Sequence, residues 1–260
     1  MLYTFYKYQG AGNDFVIIDN REKTFHADTA TIRRICDRRF GIGADGLMTL
    51  SVDDSHDFSM RYYNSDGRES TMCGNGGRCM AAFAHKLGLV QEQAHFSAID
   101  GLHDAWLISP SYVKLKMQDV KGIQRYKEDF IVDTGSPHYV HFVPQVAPLN
   151  MVDEGKRIRY SHDFEKEGIN VNFVEPEGSG SIRMRTYERG VEDETLACGT
   201  GSVASAIITA YSLQPEIHSF QIHAPGGELK VTFAKTGAEQ FTDIWLEGPA
   251  AFVFEGQIEI

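Results

Sequence analysis

Two cysteines stand in closely similar surroundings about half a chain apart: Cys73 in Met72-Cys73-Gly74-Asn75-Gly76-Gly77-Arg78, and Cys198 in Ala197-Cys198-Gly199-Thr200-Gly201-Ser202. Each precedes a small-residue loop and then a run that reads as a helix. A thiol at a helix N-terminus meets unpaired backbone N–H groups and the positive end of the helix dipole, and both favour the thiolate. Two such thiols on opposite sides of one slightly acidic carbon could exchange its proton. One thiolate removes the proton, the other thiol returns one on the opposite face, and the stereocentre inverts without metal or pyridoxal phosphate. The same N–H groups could hold a carboxylate and spread the developing carbanion charge. The expected chemistry is epimerisation or racemisation next to a carboxylate.

The elements that must position these thiols read as an internal duplication. Met80-Ala81-Ala82-Phe83-Ala84 answers to Ala204-Ser205-Ala206-Ile207-Ile208, with helix stops at Gly88 and Pro215. Tyr63-Asn64 answers to Tyr187-Glu188, and Gly43 and Gly168 precede their cysteines by the same interval. Gly12-Asn13-Asp14-Phe15-Val16-Ile17 answers to Gly135-Ser136-Pro137-His138-Tyr139-Val140, which places His138 in a loop equivalent to Asn13-Asp14. Strands are expected at Phe15–Ile18, Leu47–Leu50, Phe58–Tyr62, Val113–Met117 and Ile182–Tyr187, and throughout the segment after Phe220. A helix is expected over Thr29–Arg39, while residues 118–128 lose the strand pattern and mark a boundary. The expected fold is α+β: two pseudo-symmetric lobes, each a curved mixed or antiparallel sheet around a central helix. The N-terminal lobe would span 1–117, with the C-terminal strand at about 250–260 able to complete it, and the second lobe 118–249.

Composition narrows the function classes. The 260 residues include 42% hydrophobic ones, enough for a packed core, and the net charge of -11 argues against nucleic-acid or anionic-membrane partners. The first ten residues lack a signal-peptide core and no apolar run is long enough to span a bilayer, so a soluble cytoplasmic protein is expected. Gly41-Ile42-Gly43-Ala44-Asp45-Gly46 matches a dinucleotide fingerprint, but a helix precedes it and a strand follows, so it reads as a tight loop. Cys36 and Cys79 read as small buried hydrophobes, and no zinc-type spacing occurs, so no metal is expected. A non-catalytic protein using the glycine-rich loops for anions or nucleotides is the rival class.

Gly10-Ala11-Gly12-Asn13-Asp14-Phe15, Asn64-Ser65-Asp66-Gly67, Cys73-Gly74-Asn75-Gly76-Gly77-Arg78-Cys79, Tyr187-Glu188-Arg189-Gly190 and Ala197-Cys198-Gly199-Thr200-Gly201 resemble the diaminopimelate epimerase family over nearly the whole chain. Asn75 favours that family over the proline racemases, which usually carry His there. The resemblance implies Cys73 and Cys198 as catalytic acid and base. It implies Gly74, Asn75, Gly199 and Thr200 at the reacting carboxylate, and Asn13, Asn64, Asn170, Glu188 and Arg189 on the rest of an amino-acid substrate. His138 and Glu188 would tune the cysteines. The resemblance further implies a cofactor-independent cytoplasmic homodimer interconverting LL- and meso-2,6-diaminoheptanedioate. Gly46 and Ser136 depart from many members, which carry Gln and Asn there.

Overall fold

In the computed structural model, which describes residues 1–260, one order of elements occurs twice. The first run is β1 (Leu2–Gly10), β2 (Asn13–Asp19), α1 (Thr29–Cys36), β3 (Gly46–Ser51), β4 (Phe58–Asn64), β5 (Glu69–Ser70), α2 (Gly74–Lys86), β6 (Gln93–Ala98), β7 (Gly101–Ser109) and β8 (Tyr112–Lys116). After β9 (Gln124–Tyr126), the second run is β10 (Asp129–Asp133), β11 (Pro137–Phe142), α3 (Met151–Arg159), β12 (Asn170–Gly178), β13 (Ser181–Glu188), β14 (Asp193–Thr195), α4 (Gly199–Ser212), β15 (Ser219–Ala224), β16 (Gly227–Lys235) and β17 (Phe241–Pro249).

Strand pairing repeats with the order. β2 is parallel to β3, β3 antiparallel to β4, β4 parallel to β6 and β6 antiparallel to β7. In the second run β11 is parallel to β12, β12 antiparallel to β13, β13 parallel to β15 and β15 antiparallel to β16. The last strand, β18 (Ala251–Glu259), pairs antiparallel with β1. The chain accordingly divides into Met1–Leu115 with Gly248–Ile260, and Lys116–Glu247.

Each unit encloses one helix. Every residue of α2 from Gly74 to Ala84 is buried, and the helix touches β1, β2, β3, β4, β7 and β18. In α4 every residue from Gly201 to Ala210 is buried, against β10, β11, β12, β13, β15 and β16. A helix as apolar as α4 is accommodated by burial on every side. The outer helices are amphipathic. Helix α1 buries Ile32 and Ile35 against Val16, Ile18 and Leu47, and α3 buries Met151 and Ile158 against Val171, Phe173 and Tyr187. No helix is long and apolar enough to cross a membrane.

Local chemistry explains where the expected elements shift. Helix α1 ends at Cys36 rather than Arg39, because the Asp37 carboxylate accepts the N–H groups of Arg39 and Phe40 at 2.7 and 2.8 Å and turns the chain. Helix α3 was not expected. Its signals are Asn150 as N-cap, Asp153 and Glu154 in the first turn and three basic residues in the last. The segment 118–128 holds a short strand, β9, paired with β10. His138 lies not in a loop but second in β11. Gly43 and Gly168 both have positive φ (80° and 74°), a conformation that glycine adopts without a Cβ penalty, and each leads from an outer helix into the next strand.

Candidate active site

Both cysteines are helix N-caps. The Cys73 sulfur accepts the Gly76 N–H at 3.2 Å, and the Cys198 sulfur accepts the Gly201 N–H at 3.4 Å. Neither helix has an acidic residue in its first turn, unlike α3. The positive ends of α2 and α4 are therefore left for sulfur or for an anionic ligand. Cys198 is 7% exposed and Cys73 half-buried. The other two cysteines, Cys36 and Cys79, are fully packed, and burial pushes both thiols up to about 12. They are inert at neutral pH.

In the N-terminal unit, Asn13 opens β2 beside Cys73. Its amide nitrogen donates to Asp45 at 2.6 Å, which turns its carbonyl oxygen toward the Asn75 amide at 3.4 Å and the Cys73 sulfur at 4.0 Å. Lys7 and Arg38 anchor this corner through Asp14, at 2.7 and 2.6 Å. Burial pushes the Asp14 carboxyl up, but the hydrogen bonds from Arg38 and Lys7 outweigh it and hold it at about 2. Asn64 ends β4, exposed, opposite Gly46. A Cβ on Gly46 would meet the Tyr62 ring at 2.4 Å, so this strand has no room for a side chain there.

Arg78 lies on the first turns of α2 with no exposed surface. It donates to the Asn75 side-chain oxygen at 2.8 Å and to the Gly74 and Pro249 carbonyls at 3.3 and 3.4 Å. A buried guanidinium bound only to neutral oxygens is costly. Burial pushes it down, while Cys79 and Cys73 act in the other direction.

In the second unit, Asn170 sits at the start of β12 in register with His138 of β11. Its amide donates to Ser136 and to the Pro137 carbonyl at 2.8 and 3.0 Å, and its oxygen accepts the Arg189 N–H at 2.9 Å. Arg189 reaches the Glu167 carbonyl at 3.0 Å and Ser136 at 3.4 Å. Ser136 thus ties Asn170 to Arg189. Glu188 ends β13 and accepts the Thr195 hydroxyl at 2.8 Å. His138 is fully buried and makes a 2.9 Å contact with the Thr200 hydroxyl, which lies 3.5 Å from the Cys198 sulfur. Burial, with the Arg189 cation next, pulls the imidazole down to about 3.

Within the N-terminal unit Cys73, Gly74, Asn75 and Asn13 cluster directly. Within the second, Cys198, Gly199, Thr200 and His138 form one group and Asn170 with Arg189 another. Sequence reasoning missed Asp45, which orients Asn13, and Asn172, which contacts His138. Asn172 had a signal: it lies two residues beyond Asn170 on a strand, hence on the same face. Asp45 was quoted only within the Gly41–Gly46 loop.

The same fold occurs in solved structures of very different sequence. A Bacillus anthracis phenazine biosynthesis protein has a TM-score of 0.75 at 15% identity, covering 100% of both chains. A hydroxyproline epimerase from Agrobacterium vitis has a TM-score of 0.70 at 13% identity, covering 99% of this chain and 92% of that one. Duplicated α+β units, each with a cysteine capping its central helix, together with the sequence relatives below, put this chain among the epimerases, a class of isomerase. The chain belongs to the diaminopimelate epimerase family, whose model matches residues 5–101 and 130–253. It is 48% identical to the diaminopimelate epimerase of Flavobacterium psychrophilum, over 97% of this chain and 99% of the relative. It is 41% identical to that of Chlorobaculum tepidum, over 96% and 99%.

Proposed function

We propose that this chain interconverts LL- and meso-2,6-diaminoheptanedioate, a step of lysine biosynthesis, by proton transfer between substrate and two cysteines. The observation that carries the mechanism is that Cys73 and Cys198 cap corresponding helices in the two repeats. The reading requires the two sulfurs to be brought to opposite faces of one α-carbon. The thiolate of one takes the α-proton, so the C–H electron pair remains on carbon and spreads into the carboxylate. The thiol of the other then gives its proton to the opposite face and becomes the thiolate. Running the reaction backward exchanges the roles.

N–H groups following each cysteine, at Gly74-Asn75 and Gly199-Thr200, suit the carboxylate at the reacting centre. Asn13, Asn64, Asn170, Glu188 and Arg189 are assigned to the remainder of the substrate, whose distal end is a zwitterion. Arg189 matches its carboxylate with fork geometry and Glu188 its ammonium. The reaction so written asks for no cofactor. A homodimer in the cytoplasm completes the proposal.

In heavy water, the purified protein should place deuterium at one α-carbon of LL-diaminopimelate as the meso isomer appears, with no cofactor added. Conversion without solvent deuterium would sink the proton-transfer scheme. Sedimentation of the purified chain at micromolar concentration tests the dimer, and a monomer at full activity would remove that part.

A further inference from the structure

The strands beside the two cysteine helices carry opposite chemistry at corresponding places. Phe15 pairs with Gly46 across β2 and β3, and His138 pairs with Asn170 across β11 and β12. Two positions beyond Gly46 and Asn170 stand Met48 and Asn172. Met48 and Phe15 lie against Gly76 in one unit, and Asn172 lies against Gly201 in the other. Packing a helix N-terminus against these strands is therefore satisfied by apolar side chains. The second unit instead buries an imidazole and an amide there, both with no exposed surface. Buried polar groups are costly unless each is hydrogen-bonded.

Every one of these groups is satisfied, and the satisfaction runs in one direction. The Asn172 nitrogen donates to the Tyr139 carbonyl at 3.1 Å and faces His138 Nδ1 at 3.0 Å, while its oxygen accepts the Thr186 hydroxyl at 2.9 Å. The Tyr139 carbonyl can only accept, so the amide cannot be turned over without setting oxygen against oxygen. Asn172 therefore presents N–H to Nδ1, which must accept. The remaining proton of a neutral imidazole is then on Nε2, which donates to Thr200 Oγ1 at 2.9 Å. With that lone pair engaged, the Thr200 hydroxyl proton is free to point along its 3.5 Å contact with the Cys198 sulfur. The Thr200 main chain is fixed as well, its carbonyl accepting the Thr134 hydroxyl at 2.9 Å.

We infer that Asn172 is a positioning residue that locks His138 in its Nε2–H tautomer, so that the Thr200 hydroxyl is aimed as a donor at the Cys198 thiolate. The His138 ring stays neutral because burial and the nearby Arg189 cation oppose its protonation. It thus acts as a fixed dipole in series with a hydroxyl, and not as a titrating base. The functional meaning of the relay rests on the reading of Cys198 as a reacting thiol. Its existence does not.

The test reads sulfur reactivity instead of turnover. The intact protein is alkylated with iodoacetamide under single-hit conditions between pH 5 and 10, and modification of Cys198 and Cys73 is followed separately by peptide mass spectrometry. In Thr200→Val and in Asn172→Leu the Cys198 profile should move up by about one pH unit, the scale of one hydrogen bond to a charged group. Thr200→Ser should restore it, and the Cys73 profile should not move. A Cys198 profile unchanged in either variant overturns the inference, as does an equal shift at Cys73. Should Asn172→Leu fail to fold, ¹⁵N spectra of ring-labelled wild-type protein decide the matter, with His138 assigned by its loss in His138→Gln. A neutral Nε2–H ring from pH 5 to 8 is expected, and an Nδ1–H ring or an imidazolium overturns the lock. If the alkylation shifts appear but Cys198→Ala still racemises substrate, the relay stands and the proposed function falls.

Discussion

The two cysteine helices share backbone geometry and differ in the polar groups around them. Around α2 the strand side chains are apolar, Phe15 and Met48, and the polar group comes from the helix itself, the buried Arg78 bound to Asn75. Around α4 the strands supply His138 and Asn172, and the position corresponding to Arg78 is the buried Val203. The groups facing sulfur differ too: an amide oxygen of Asn13 at Cys73, a hydroxyl of Thr200 at Cys198. An acceptor facing sulfur suits a thiol that holds its proton, and a donor suits a thiolate. The duplicated backbone thus surrounds its two capping cysteines with unlike polar groups.

The largest effect should come from removing sulfur. Cys73→Ala and Cys198→Ala should each lower kcat for epimerisation by about 10²–10⁴-fold in both directions, the range for a positioned acid or base. NMR of the substrate in heavy water measures it, and near-normal turnover in either variant breaks the pairing. Arg78→Met comes next. It strips the Asn75 oxygen and two carbonyls of a donor and should cost about 2–4 kcal/mol in urea unfolding. Val203→Ala, its counterpart in α4, deletes two methyl carbons and should cost less, about 1–2 kcal/mol. Equal losses would mean that Arg78 contributes only packing.

Glycine substitutions sharpen the contrast between the strands. A Cβ on Gly201 would meet the Asn172 oxygen at 2.5 Å, whereas one on Gly76 would meet the Cys73 and Met48 sulfurs at 3.1 Å. A thioether chain can yield where a fully hydrogen-bonded amide cannot. Gly201→Ala should therefore be the more destabilising by about 1–2 kcal/mol in thermal or urea unfolding, as overpacking near a rigid group is. Reversal of that order would mean that Asn172 is loosely held.

Acid should separate the two units by window. His138 takes up a proton below about 6.5 when unfolded but only near 3 when folded. Within that interval the unfolded state binds more protons, so the contribution of His138 is complete above 6.5. It is lost as pH falls, at about 1.4 kcal/mol per unit. Asp14, held at about 2 against 3.8, contributes above 3.8 and loses its effect only as pH falls toward 2. Hydrogen exchange at pH 7 and pH 5 should show protection in β11, β12 and α4 falling before that in β2 and β3. His138→Phe, which places in β11 the residue type found at Phe15, should flatten the dependence. Simultaneous loss in both units would contradict it.

The order of small residues after each cysteine determined a great deal. Gly74-Asn75-Gly76 and Gly199-Thr200-Gly201 fill a helix's first turn with little side chain, so a thiol cap and an open N-terminus were legible, as were both central helices and half of the strands, β2–β4, β8, β13 and β15–β18. The repeat was legible because the turns between elements need glycine at fixed places, as at Gly43 and Gly168. Helix α3 was not read, since its burial depends on Tyr187, far along the chain. A Cβ on Gly155 would stand 2.4 Å from that residue, a proximity invisible in sequence.

Local propensity and spacing act between neighbours in sequence, so the fold class and the two sulfurs were readable from the chain alone, and the family through the resemblance of its motifs. What makes the sulfurs unlike each other was decided by tertiary structure. The hydrogen bonds of Asn13 to Asp45 and of Asn172 to His138 join segments that meet only on folding, and a tautomer or an amide's orientation is set by partners far along the chain.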